Sequence, residues 1–252
     1  MSVELEIRLF ATLKDRAGSD RIRVELPDRA ASAADVIRAV AAGYPALAPA
    51  LPSALLAVNR AFAAPDTPVK AGDEVALFPP VSGGQGDAPA GEAGAFATYF
   101  AVSPDPLDIA DVHARLGGPD VGAIVSFTGF VRGRTRRDGL PAETLHLEYE
   151  AYEAMAVEKM AQITGEIRAR WPMVCGVALV QRLGRLGVGE VTTFVACAGH
   201  HRDQGVFEAA RYGIDRLKEI VPVWKKEVGA DRSVWVEGHY RPTTADNLKS
   251  DS

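Results

Sequence analysis

Two lysines stand seven residues apart in the stretch DRLKEIVPVWKKE, Lys218 and Lys225. Seven residues are two helical turns, so both side chains share one face if the helix survives Pro222. Lys218 sits beside Leu217 and Ile220, and Lys225 follows Trp224. Apolar neighbours strip water from an ammonium group, which makes a lysine a usable acid, base or nucleophile. The plainer reading of any lysine is a solvated surface charge, and spacing alone leaves both readings standing.

Two further clusters point to anions. VRGRTRRDG places Arg132, Arg134, Arg136 and Arg137 within six residues, directly after an apolar run. Guanidinium forks suit phosphate oxygens, and a solvated loop is the ordinary alternative. In CAGHHRDQG, His200, His201 and Arg202 fall between an apolar strand and a helix start, where free backbone N–H groups attract anions. A metal site built from the two histidines and Cys197 is the rival reading. Adjacent histidines diverge on most backbones and no carboxylate stands at ligand spacing, so no metal is expected. Asp203 is the expected cap of the following helix. Finally, LFPPVSGGQGD runs from a strand into Gly83-Gly84. A Gly-Gly pair is ordinary linker material. It is also a tail that fits a tunnel where any Cβ would clash.

The elements that must position these residues can be read from periodicity. The chain has 252 residues, enough for two ordinary domains. VELEIRLF alternates like a half-buried strand, KDRAGSD reads as a turn, and RIRVELP is a second strand. SAADVIRAVAAGYP is a helix capped by Ser32, with Val36, Ile37 and Val40 at helical spacing. LLAVNRAF and DEVALFPP close the first region as strands. SGGQGDAPAGEAGA has linker composition. Beyond it the pattern predicts a strand at TYFAV and a helix over PLDIADVHARLG opened by Ser103 or Asp105. Strands follow at GAIVSFTGFVR and TLHLEYEAY, then a helix over EAMAVEKMAQITGEIRARW. Strands VCGVALVQRLG and EVTTFVACAG are joined by the Gly-rich turn RLGVG. The helix RDQGVFEAARYGIDRLKEIVP ends or kinks at Pro222, before WKKEV and RSVWVEGH.

Composition bounds the rest. The chain is 47% hydrophobic with a formal charge of −5, normal for a globular protein and contrary to general nucleic-acid binding. No aromatic residues interleave with the arginines as a base-stacking platform needs. The N-terminus lacks a signal-peptide pattern and no run approaches a membrane span, so a cytoplasmic protein with no membrane partner is expected. Cys175 and Cys197, both in apolar contexts, are expected as reduced, buried thiols.

Taken together, these stretches resemble the molybdopterin synthase family. Residues 1–84, with their strand order and the ending DEVALFPPVSGG, resemble its small, ubiquitin-like subunit. Residues 96–241 resemble its large subunit, through FTGFVRGRTR, LEYEAYEAMA, RLGRLGVGEV, HHRDQGVFEA, RLKEIVPVWKKE and WVEGH. The resemblance implies an α+β chain: a β-grasp domain over 1–84 and a flexible linker over 85–95. A larger catalytic α+β domain follows over 96–241, and 242–252 form a disordered tail.

It also implies a chemistry. A glycine thiocarboxylate on the small domain donates sulfur twice to cyclic pyranopterin monophosphate, forming the molybdopterin dithiolene, with no permanently bound cofactor. Lys218 would be the principal catalytic residue and Lys225 a second. Phe130, Val131, Arg132, His201, Arg202, Lys226 and Glu227 would bind substrate. His239 stands where the family pattern has arginine, and its phosphate contact would depend on pH, with Arg241 near enough in sequence to substitute. The expected partners are a second copy through the second domain, an E1-like adenylating enzyme and a sulfur donor. Gln85 follows Gly84, so a carboxylate to be thiolated requires cleavage after Gly84 by a protease. The alternatives are an unprocessed fusion that uses a separate small subunit's tail, or a non-enzymatic carrier fused to an anion-binding domain.

Overall fold

The computed structural model describes residues 2–27, 31–80, 97–135, 139–236, 238 and 240–247. Gly83, Gly84, the 85–95 linker, Arg136, Arg137 and His239 lie outside the described residues. The chain divides into two compact units, residues 1–81 with 237–252 and residues 82–236.

The first unit contains β1 (Ser2–Leu9), α1 (Ala11–Ala17), β2 (Arg21–Pro27), β3 (Ala31–Ser32) and α2 (Ala33–Gly43). It continues with β4 (Leu55–Val58), β5 (Ala61–Phe62), β6 (Pro68–Val69) and β7 (Val75–Phe78). Its main sheet runs in the order β2-β1-β7-β4-β5, with β1 and β7 parallel and the other pairs antiparallel. Alternation along β1 turns Leu5, Ile7 and Leu9 into the core, where Val36 and Val40 of α2 meet them. Ser32 caps α2 as expected, in a reciprocal capping box with Asp35.

Two local expectations change here. The KDRAGSD stretch is not a plain turn, because its first residues complete α1, which stops at Gly18 in the left-handed region (φ 67°). LLAVNRAF is not one strand but the hairpin β4–β5. Asn59 and Arg60 both take positive φ, the backbone signature of a tight two-residue hairpin turn.

The second unit contains β8 (Ala97–Ser103), α3 (Ile109–Leu116), β9 (Ala123–Phe130), β10 (His146–Ala151) and α4 (Glu153–Arg170). After these come β11 (Val174–Arg182), β12 (Gly184–Gly187), β13 (Val191–Gly199), α5 (Val206–Ile220), β14 (Val223–Val228) and β15 (Ser233–Val236). They form two four-stranded sheets, β8-β11-β13-β9 and β12-β10-β14-β15. Helix α5 packs on β13 and against α4. A buried charge network fixes that helix pair: Arg216 binds Glu166 at 3.0 Å and Glu219 at 2.6 Å, and the Tyr212 hydroxyl donates to Glu166 at 2.7 Å.

Several boundaries differ from the sequence reading. The α3 cap is Asp108, which accepts from the Asp111 N–H, and not Ser103 or Asp105. Part of the Gly-rich turn RLGVG belongs to β12, which pairs with β10. Asp203 does not cap α5. Gly205 does, at φ 82°, where a Cβ would lie 2.2 Å from Cδ1 of Trp171. Of the two outcomes expected at Pro222 the helix takes the first: α5 ends at Ile220, and Val221 is extended as a residue before proline prefers to be. Cys197 is buried in the core, whereas Cys175 is only partly buried. Residues 243–247 are not featureless: Thr243 and Asp246 form a capping box around the short 3-10 turn Thr244–Asp246.

Candidate active site

Since α5 ends at Ile220, Lys218 and Lys225 do not share a helix face. Lys218 lies on the last turn of α5 and Lys225 on β14, on either side of the Val221–Pro222 connection. They converge all the same. A cavity of about 160 Å³ is lined by both lysines, Arg132, Phe130, Glu227 and Tyr149, among others. A second cavity of about 130 Å³ shares Tyr149, Lys218 and Lys225 with it.

Strand register assembles one wall. On β14, Lys225 and Glu227 alternate onto one face, and antiparallel pairing sets them opposite Tyr149 and Leu147 of β10. Lys226 falls on the other face, with its ammonium 5.8 Å from the Trp235 ring centre. Strand β13 builds another wall. Its pairing with β9 shifts register between Val191 and Thr193, and Thr192 and Thr193 both reach the cavity. A bulge allows this, since neighbours on a regular strand face opposite ways. Thr192 donates to the Gly129 carbonyl at 3.2 Å.

The electrostatics centre on Lys218. Its ammonium donates to Thr193 Oγ1 at 3.1 Å, and Thr193 donates on to Gln181 Oε1 at 2.8 Å. Gln181 is fully buried and is held by its amide donating to the Arg182 and Thr192 carbonyls. The position of Lys218 is thus set by a chain that ends in the core. Burial, reinforced by the charge of Lys225, lowers its pKa from the usual 10.5 to about 8. Burial pushes the Tyr149 hydroxyl up to about 12, with Glu227 adding to the effect, so Tyr149 keeps its proton. Glu227 is buried and accepts from the Thr144 hydroxyl.

Not every expected residue comes to this cavity. Phe130 is 56% exposed at its mouth, while Val131 is buried beside Leu147 and Leu186 as core. His201 and Arg202 are exposed at the β13–α5 corner and are not among the lining residues, and neither is Lys226. Arg241 is exposed and belongs to the first unit. Among the described residues no cluster of three or more His, Cys, Asp or Glu side chains is arranged to hold a metal. No described helix is long and apolar enough to cross a membrane. Sequence reasoning missed Tyr149, Thr135, Thr192, Thr193, Gln181 and Phe127. The usable signal was polar Thr192-Thr193 at the start of an otherwise apolar strand, and the alternation of LEYEAY.

Comparison with known proteins identifies the family. Residues 102–220 match the family described as MoaE protein, and residues 7–84 match the ThiS family. The molybdopterin synthase catalytic subunit of Halalkalibacterium halodurans is 42% identical over 145 residues, covering 58% of this chain and 89% of that protein. Its Bacillus subtilis counterpart is 36% identical over 152 residues, covering 60% and 93%. A crystal structure of molybdopterin synthase from Staphylococcus aureus aligns at 38% identity with a TM-score of 0.49, covering 57% of this chain and 97% of that one. Relatives 42% and 36% identical, matched over 89% and 93% of their own length, place the chain in the molybdopterin synthase catalytic-subunit family, with a ThiS-family domain ahead of it in the same polypeptide.

Proposed function

We propose that this enzyme of molybdenum cofactor biosynthesis transfers sulfur from a thiocarboxylate on Gly84, exposed by cleavage behind that residue, to cyclic pyranopterin monophosphate. The observation that carries the reading is Lys218: an amine whose pKa of about 8 lies close to neutrality, in a cavity with a second lysine and an arginine. Such an amine takes or gives a proton within one turnover. Arg132 and Lys225 supply positive charge for a phosphate-bearing substrate, and Phe130 and Phe127 offer ring faces at the mouth. Tyr149, still protonated, is a hydrogen-bond donor.

In this reading residues 1–84 are the sulfur carrier, 85–95 the segment that is cut, and 96–241 the catalytic part. An E1-like enzyme adenylates Gly84 and a sulfur donor charges it. The second domain forms a homodimer, which gives exposed His201 and Arg202 a place at a neighbour's substrate. No cofactor is held permanently.

The test combines intact mass with reconstitution. Protein from its own host should contain a fragment ending at Gly84, and a charged form in which one oxygen is replaced by sulfur. The processed protein should form molybdopterin from the pterin substrate, and Lys218→Ala with Lys225→Ala should abolish it. Full activity in the double variant would sink the assignment. A chain that is never cut, yet is active when a separate small subunit is added, would move the sulfur carrier to that subunit.

A further inference from the structure

The outer strand of the first sheet is capped by the other end of the chain. Among the described strands β5 pairs with β4 alone, and on its other side the Phe62 backbone meets a side chain. Its N–H donates to Asn247 Oδ1 at 2.8 Å, and its carbonyl accepts from Asn247 Nδ2 at 3.0 Å. A primary amide presents one acceptor and one donor side by side, as a peptide group does, so Asn247 stands in for one residue of a missing strand. The residues before it are shaped to present that amide. Asp246, 6% exposed, accepts from the Tyr240 hydroxyl at 2.8 Å and from the Thr243 N–H at 2.8 Å, which closes the short turn that ends at Asn247. Pro242 is buried as well.

This arrangement has a consequence because of where the segment comes from in the chain. Residues 240–247 follow β15, the last strand of the second unit, yet their contacts place them with residues 1–81. The first domain is therefore joined to the rest of the protein twice, covalently through 81–96 and non-covalently through 240–247. We propose that residues 240–247 are a docking segment for the β5 edge, which keeps the N-terminal domain attached to the catalytic domain after the backbone between them is cut. The inference extends the processing read above, but it stands on the clasp alone and holds for a cut made anywhere in 85–95.

The test uses the full chain with a site for a specific protease placed within 85–95. After complete cleavage, the association of the two pieces is measured for the parent sequence, for Asn247→Ala and for a chain ending at residue 239. The parent pieces should stay together at micromolar concentration. Losing both half-buried amide bonds to Phe62 should weaken association about tenfold. Truncation should weaken it at least as much. In the uncut chain, Asn247→Ala should also speed hydrogen exchange of the Phe62 amide without changing that of the β1 amides. Parent pieces that separate on cutting, or a truncated chain whose pieces associate as tightly as the parent, would overturn the proposal. Because the cut is engineered, either result is independent of whether the chain is processed behind Gly84 in its host.

Discussion

The pKa of Lys218 gives the sharpest test of how the cavity works. At pH 7, an amine with a pKa of about 8 is about 9% neutral, whereas one at 10.5 is about 0.03% neutral. The site therefore raises the reactive form roughly 300-fold. Burial is the larger cause and the charge of Lys225 the smaller. Lys225→Met removes only the smaller one, so it recovers less than half of the gap. The neutral fraction at pH 7 should then fall, by no more than roughly 18-fold. Competitive acetylation across pH 6–11, read as the modified Lys218 peptide by mass spectrometry, measures this directly and needs no substrate. The same group leaves a mark on stability. Between pH 8 and 10.5 the folded chain binds fewer protons here than the unfolded chain, so stability rises with pH through that window. Below pH 8 the full cost of holding the charged amine is present, on the order of 3 kcal/mol. A Lys218 that titrates near 10.5 in the parent, or a Lys225→Met chain that titrates lower than the parent, would refute the account.

Three further outcomes follow from the packing around the site. Thr193→Val removes the hydroxyl between Lys218 and buried Gln181, and should cost about 1–3 kcal/mol in denaturant unfolding while lowering the rate of molybdopterin formation. Arg216→Met leaves Glu166 and Glu219 without their shared guanidinium between α4 and α5, and should cost about 3–5 kcal/mol, measured by thermal melting. Gly205→Ala combines a positive φ with a Cβ driven 2.2 Å from the Trp171 ring; a loss of about 2–4 kcal/mol is expected, whereas Gly139→Ala, at a similar φ of 85° in open space, should cost only about 1–2 kcal/mol.

How much of this was legible in the sequence depended on whether the deciding interaction was local. Alternation in VELEIRLF and the Ser32–Asp35 cap are local, and both elements form where the pattern puts them. The hairpin inside LLAVNRAF was hidden because Asn59-Arg60 is not the Asn-Gly pair that advertises a two-residue turn, and only the backbone angles reveal it. Lys218 and Lys225 were singled out for their apolar neighbours, and they do meet in one cavity, but the geometry that joins them was different. A helix through Pro222 would have stacked them two turns apart. The break at Val221 instead lets β14 turn back and pair with β10, which brings Tyr149 and Glu227 to the same wall. Tyr149, Thr192 and Thr193 owe their positions to strand register and to a bulge, which are set by partners far away in the chain. The Asn247 clasp lies further still from local signals, since it joins residues 185 positions apart by a side-chain amide. A segment such as TTADN carries turn and cap residues but too little apolar surface to declare a docking site. Its order comes from an edge strand that offers a peptide-shaped gap, and that gap exists only once the first domain has folded.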